Sequence, residues 1–210
     1  MIAEIPFSFE EMQWQDVPAV MEIERRSFSL PWSENTYRHE LLENANGHYY
    51  VLRYRTRPPD PSPNWLSRIV HREPLARLVG YGGFWLITDE AHISTIAIDT
   101  GWRGYGLGEF LLASMVERSM TLRAAQVTLE VRESNLVAQN LYRKYGFTIT
   151  GTRPRYYQDN HENALLMTVD GVNTEAYRRE FLRLTTPLSA RLSRLDGHLL
   201  PIREDVARRR

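Results

Sequence analysis

With 210 residues, 42% of them hydrophobic, the chain can bury one sizeable core, and one domain with additions is the expectation. Its 26 basic and 26 acidic residues cancel, which excludes the strong overall positive field of a dedicated nucleic-acid binder and leaves such a role to a local patch. Cysteine is absent, so disulfides, thiolate nucleophiles and Cys-based zinc sites are excluded, and a reducing compartment fits.

The start, MIAEIPFSFEEMQWQDV, carries acids and no basic n-region, so it does not read as a signal peptide, and no window reaches the roughly 18 apolar residues of a membrane span. A cytoplasmic protein with no membrane partner is expected. Val17, Val20, Met21 and Ile23 then fall on one helical stripe behind Asp16 as N-cap, and SENTYRHELLEN reads as a second helix capped by Ser33. The stretch SFSLPWS lies between them. HYYVLRYR and RLVGYGGFWLI alternate as strands, joined by residues 56–76, whose five prolines mark an expanded hairpin loop. TDEAHISTIAID gives a turn and a third strand, GEFLLASMVERSMTLR a helix, QVTLEV a strand, and NLVAQNLYRKYGF a helix closed by Gly146 in the left-handed position. ENALLMTV is a last strand. Alternating helices and strands around one sheet give an α/β or α+β class with mixed strand directions.

Residues 1–170 form the expected domain, followed by a basic helical extension over 171–210. In the extension, Tyr177, Phe181 and Leu184, then Leu188, Leu192, Leu195 and Leu199, recur at helical spacing on either side of a break expected at Pro187. Nine arginines there face five acids. Two readings stand: a helical hairpin packed on the domain with a basic solvent face, or a surface for RNA, which would suit a substrate met on a ribosome.

The stretch TGWRGYGLGEFLLASMVERS places Gly104, Gly106 and Gly108 between a strand and a helix. Free N–H groups at the positive end of a helix, with no Cβ atoms in the way, make a cradle for a phosphate; the alternative is a tight connection that needs glycine for its backbone angles alone. Two known cradles fail. A P-loop requires Lys-Ser/Thr after its last glycine, but Glu109 and Phe110 follow Gly108, and a G-x-G-x-x-G fingerprint counted from Gly106 ends on Leu111.

What the stretch does match is R-x-x-G-x-G, as Arg103, Gly106 and Gly108, and here the chain resembles the GNAT family of acetyl-CoA-dependent N-acetyltransferases. ISTIAIDTGWRGYGLGEFLL, LEVRESNLVAQNLYRKYGF, RYYQDNHENALLM and RRSFSLPWSENTY together resemble its RimI-type branch, which acetylates the N-terminal alanine of a ribosomal protein. The likeness runs from about residue 8 to 170; the proline-rich insertion and the tail depart from it. It implies the GNAT fold, a central mixed, mostly antiparallel sheet flanked by helices.

The resemblance also implies roles. Ile96, Ala97 and Ile98 would bond the pantetheine arm of acetyl-CoA through their backbone and offer an N–H to the thioester oxygen. Arg103, Gly104, Tyr105, Gly106, Leu107 and Gly108 would hold the pyrophosphate. Asn135 matches a CoA-contacting asparagine and is equally placed to cap the helix starting at Leu136. Glu130 interrupts an apolar strand, where it could face solvent or pair with Arg132; in the family motif it is the general base for the attacking amine. Tyr142, by spacing a core residue, would protonate the departing thiolate, and a phenol near pKa 10 stays protonated at neutral pH to do so. Tyr156 and Tyr157 would line the peptide channel, and Leu30, Pro31 and Trp32 would wall the first substrate residue, with packing roles as the alternatives. The six histidines show no metal-binding spacing, so no metal is expected; His92, on the strand before the cradle, is the one expected near the chemistry, and a packed strand residue is its preferred reading.

The function implied is direct acetyl transfer, without an acyl-enzyme, to a protein N-terminal amine. Alternatives are transfer to lysine or a small amine, and a catalytically silent acyl-CoA-binding module.

Overall fold

The computed structural model describes residues 5–55 and 76–195. All of the proline-rich insertion except Ala76 lies outside the described residues, as does the tail from 196, including Leu199.

Among the described residues seven strands form one sheet: β1 (Phe7–Glu11), β2 (Gly47–Tyr54), β3 (Arg77–Ile87), β4 (Glu90–Ile98), β5 (Gln126–Arg132), β6 (Thr148–Tyr157) and β7 (Glu162–Asp170), in the order β1-β2-β3-β4-β5-β7-β6. All neighbours are antiparallel except β4 and β5. Those two run parallel because helix α3 (Leu107–Thr121) carries the chain back between them, a crossover a hairpin turn cannot make. The other α-helices among the described residues are α1 (Val17–Ser27), α2 (Glu34–Leu42), α4 (Leu136–Lys144) and α5 (Glu175–Leu192).

The two-residue period of the strands sorts their side chains into two cores. Along β2, Tyr50, Leu52 and Tyr54 face the cluster built on Leu111, Leu112 and Met115 of α3, while Tyr49 and Val51 face Val17, Val20 and Ile23 of α1 and Tyr37 of α2. Helix α5 joins the first core through Phe181, Leu188 and Leu192, and Tyr177 donates its hydroxyl to the carbonyl of Tyr145 at 3.0 Å.

One irregularity in the sheet shapes the site. Gly83 of β3 pairs with Thr95 of β4, but Phe84 pairs with Ile93, so Ser94 is an extra residue, a β-bulge. The bulge reverses the strand's alternation: Ala91 and Ile93 face the α3 core before it, Ile96 and Ile98 after it. It also turns β4 away from β5. Their pairing runs only from Glu90–Gln126 to Ile93–Leu129, whereas β4 continues to Ile98 and β5 to Arg132.

Three local expectations change. Strands β1 and β6 carry too weak a sequence signal to be foreseen; β6 is an exposed edge strand whose pairing is interrupted between Arg153 and Tyr157, around Pro154. Asp16 occupies the N-cap position of α1 without capping it; its carboxylate accepts from the Gln13 amide and pairs with Arg53. Helix α5 runs unbroken through Pro187 to Leu192, because the proline removes one N–H while Leu188 and Leu192 remain buried on the core. Ser33 and Gly146 close their helices as expected, the serine accepting from the Thr36 amide at 3.1 Å and the glycine at φ 87°.

Candidate active site

The gap between β4 and β5 is the first part of the site. Beyond Ile93 and Leu129 the two strands hold separate partners, Thr95–Ile98 on β3 and Glu130–Arg132 on β7. Alternate backbone N–H and C=O groups on the facing edges are therefore left to an extended ligand, in the way an added strand would take them. At the end of β4 the chain passes through the glycine turn into α3. Gly104 and Gly106 hold φ of 88° and 85°, a left-handed region that side chains resist, and Gly106 is the N-cap. The first helical bond is Phe110 N–H to Gly106 O, 3.0 Å, so the N–H groups of Leu107, Gly108 and Glu109 point out of the helix end. Arg103 secures this turn from below, its guanidinium donating to the carbonyl of Ile98 at 3.1 Å and to Ser27 at 3.2 Å.

The second part is a buried carboxylate at the mouth of the gap. Glu130, whose side chain is 8% exposed, accepts from His92 Nε2 at 2.6 Å on one oxygen and pairs with Arg153 at 2.8 Å on the other. The register explains the first contact: His92 is opposite Thr128 on β4 and β5, and Glu130 is the next residue on Thr128's face. Burial raises the Glu130 pKa, but the His92 hydrogen bond and the charges of His92 and Arg153 outweigh it and hold the carboxyl below the usual range. Neither solvent nor Arg132 is its partner; Arg132 is taken by Asp159 at 2.7 Å and Glu162 at 3.1 Å. From α4, Tyr142 lies buried against Phe147, with ring centroids 5.8 Å apart. Burial, reinforced by the Tyr157 hydroxyl, pushes its phenol pKa well up, so it keeps its proton at any physiological pH.

Comparison with known proteins gives this arrangement a family. Residues 17–147 match the model of the acetyltransferase (GNAT) family. The chain belongs to that family. A Bacillus subtilis protein that carries the name ribosomal protein bS18-alanine N-acetyltransferase provisionally is 40% identical over 158 residues, 75% of this chain and 91% of that one. The Salmonella typhimurium protein of that name is 29% identical over 156 residues, covering 73% and 90%. Among solved structures, the Escherichia coli ribosomal-protein-S18-alanine N-acetyltransferase matches with a TM-score of 0.63 and 26% identity, covering 79% of this chain and 94% of that one.

GNAT enzymes use acetyl-CoA, and the residues present suit it. A Cβ at Gly104 would meet nothing within 4 Å and one at Gly108 only Ile98 Cγ1 at 3.8 Å, so a methyl group there would stand in open space over free backbone N–H groups. Of the strand edges left unpaired, Thr95–Ile98 lies on the strand that leads into that cradle, opposite Glu130–Arg132, and an extended arm can be taken there by backbone. Asn135 caps α4, accepting from the Ala138 amide at 3.1 Å, on the strand-to-helix turn beside the gap. Ala97, Ile98 and Leu107 bury their side chains, so what they can offer a ligand is backbone.

Two further loops meet, one of them the β6–β7 turn. Ser29, in the stretch leading to Leu30, Pro31 and Trp32, hydrogen-bonds Asp159 in the β6–β7 turn. Leu30 is exposed, whereas Trp32 packs near Tyr37 at 5.5 Å and is pinned by its backbone N–H to the buried Glu24 at 2.8 Å. Across from them Tyr156 and Tyr157 stand edge to face at 5.3 Å, and the Arg132 guanidinium lies 3.8 Å from the centre of the Tyr157 ring. Burial pushes the Tyr157 hydroxyl up to about 12. The structure thus brings Glu130, Tyr142 and Tyr157 to one region and places the Leu30–Trp32 loop and Tyr156 at its rim.

The sequence placed His92 near the chemistry but favoured a packing role over its bond to Glu130, and Arg153 was missed. The parity of β4 and β5 could have found the His92–Glu130 bond, since two strands joined by a crossover helix pair in parallel and put His92 and Glu130 on one face. No sequence signal pointed to Arg153, because β6 itself was not foreseen. Among the described residues no cluster of three or more acids and histidines could hold a metal ion, and no helix is long and apolar enough to cross a membrane.

Proposed function

We propose that this acetyltransferase acts in the cytoplasm, transferring the acetyl group of acetyl-CoA to the N-terminal α-amine of a protein, a ribosomal protein beginning with alanine. The names of its relatives point to that acceptor, and one observation within the chain supports it: a buried, ionised Glu130 facing the gap that receives the donor. Acetyl-CoA supplies the acyl group as a thioester, already activated toward an amine. Backbone N–H groups of Leu107, Gly108 and Glu109 take its pyrophosphate, the edges of Thr95–Ile98 and Glu130–Arg132 take its arm, and Asn135 and the turn of Arg103 and Tyr105 border it.

Acceptor nitrogen bonds to the thioester carbon as the carbon–sulfur bond breaks, the proton shed by nitrogen passes to Glu130, and that of Tyr142 passes to sulfur. His92 and Arg153 keep Glu130 ionised and aimed. A carboxylate held this acidic is a weak base, which suits an acceptor that is already partly neutral. An α-amine with pKa near 7.8 is about 15% neutral at pH 7, whereas a lysine near 10.4 is roughly 0.04% neutral, a gap of several hundredfold in nucleophile. Leu30, Pro31 and Trp32 on one side and Tyr156 and Tyr157 on the other enclose a chain end and hydrogen-bond its first residues. The exposed Arg178 and Arg179 of α5 suit contact with RNA where the acceptor sits on a ribosome.

Incubation with acetyl-CoA and a library of peptides varied at the first residue tests the reading, with fragmentation mass spectrometry locating the acetyl group. Acetyl on the α-nitrogen of alanine-first peptides is expected. Acetyl on lysine ε-nitrogens instead, or CoA binding with no transfer, would replace it by the lysine enzyme or the silent binding module.

A further inference from the structure

Arg191 sits in the last turn of α5, outside the span matched to the family, yet its guanidinium reaches the glycine cradle. A Cβ built on Gly106 would run into that guanidinium, whose Cζ lies 3.1 Å from the Cβ position. Nη2 also pairs with Glu109 at 3.1 Å. We propose that Arg191 is a phosphate ligand contributed by the C-terminal extension, taking the pyrophosphate of CoA together with the first-turn amides of α3. The inference rests on the acetyl-CoA reading above and adds a residue that the family motif does not contain.

The charge balance at the cradle supports it. Glu109 is in the first turn of α3, where its carboxylate would repel an incoming diphosphate. One of its oxygens already holds the Lys144 ammonium and the Tyr145 hydroxyl, the latter at 3.0 Å. Lys144, the chain's single lysine, therefore suffices to neutralise Glu109, and Arg191 is a cation in excess at a site that needs one. Its pairing with Glu109 is loose: the Arg191 side chain is 55% exposed, and exposed ion pairs open at little cost. Its backbone is not loose. Leu188 and Leu192, on either side of it, are 4% and 0% exposed in the main core, so the helix holds the guanidinium within reach of the cradle whether or not a phosphate is there. A planar guanidinium with several donors can bind two phosphate oxygens at once while its partner Glu109 keeps Lys144.

Calorimetric titration of the full chain with CoA and with 3′-dephospho-CoA, at low and high salt, tests this. Arg191→Ala should weaken both ligands by about ten-fold or more at low salt, with the loss shrinking as salt rises. Arg183→Ala serves as control: it removes the same charge from the same helix, at a residue paired with Glu180, and should stay within about two-fold of wild type. The ligand-free melting temperature of Arg191→Ala should stay close to wild type, since the residue is exposed. Wild-type affinity or tighter binding in Arg191→Ala would overturn the inference, as would a loss seen with CoA and absent with dephospho-CoA, which would move the guanidinium to the 3′-phosphate. If the unaltered protein bound no CoA, the acetyltransferase reading would fall, and this inference with it.

Discussion

Replacing Gly106 by valine separates the cradle's role in binding from its role in folding. At φ 85° a β-branched residue is strained by roughly 1–3 kcal/mol, and in a chain of this size that lowers the melting temperature by roughly 2–12 °C. The collision with Arg191 adds little, because that side chain is half exposed and can swing away while Glu109 keeps Lys144 and Tyr145. The domain should therefore stay folded. Binding is another matter, since the valine methyls would stand where a phosphate has to approach the amides of Leu107 and Gly108. Two charge-assisted hydrogen bonds, at about 1.5–3 kcal/mol each, correspond to a loss of roughly 10²- to 10⁴-fold in affinity. Titration calorimetry with CoA, alongside a ligand-free melting curve, reads both effects. A folded Gly106→Val protein that binds CoA as tightly as wild type would refute the assignment of the cradle.

Glu130→Gln keeps the shape of the side chain but cannot take a proton, so kcat/KM should fall by roughly 10²- to 10⁴-fold with CoA affinity little changed; equal rates across pH 6–9 would remove Glu130 as base. Because His92 and Arg153 hold the Glu130 carboxyl below its usual range, the wild-type acid limb should follow protonation of the acceptor amine, with no break where an ordinary glutamate titrates. Tyr142→Phe should lower kcat while leaving the acceptor KM in place, and an unchanged kcat would free Tyr142 of its role as acid. Glu162 is held from 4.5 down to about 2 by Ser134 and Arg132. A depressed pKa lends stability above its unfolded value and loses it on acidification, so melting temperature should decline between pH 4.5 and about 2, and less steeply in Glu162→Gln; identical slopes would mean that this cluster contributes nothing to acid stability.

The strong signals in the sequence were those where local chemistry alone decides the outcome. Gly104 and Gly106 needed only the backbone angles of one turn, and Ser33, Asn135 and Gly146 only the ends of their helices. The helices and the buried strands followed from apolar spacing. What stayed hidden depended on partners distant in sequence. The bulge at Ser94 exists because of how β4 pairs with β3, so the splay that forms the gap leaves no mark in β4 by itself. Strand β6 is exposed over most of its length, so it has no apolar alternation, and with it Arg153 and the brace on Glu130 were out of view. Arg191 belonged to a tail whose helical spacing was plain, but its position over Gly106, 85 residues earlier in the chain, is a product of packing through Phe181, Leu188 and Leu192.

Acetyl transfer to a chain end is tested most directly with two peptides of one sequence beginning Ala-Arg. One has a free N-terminus and no lysine; the other is blocked at its N-terminus and carries one internal lysine. Initial rates with each, at pH 7 and saturating acetyl-CoA, are the measurement. The arrangement around Glu130 predicts transfer to the free N-terminus at a rate far above any transfer to the blocked peptide, whereas faster acetylation of the blocked peptide would contradict it.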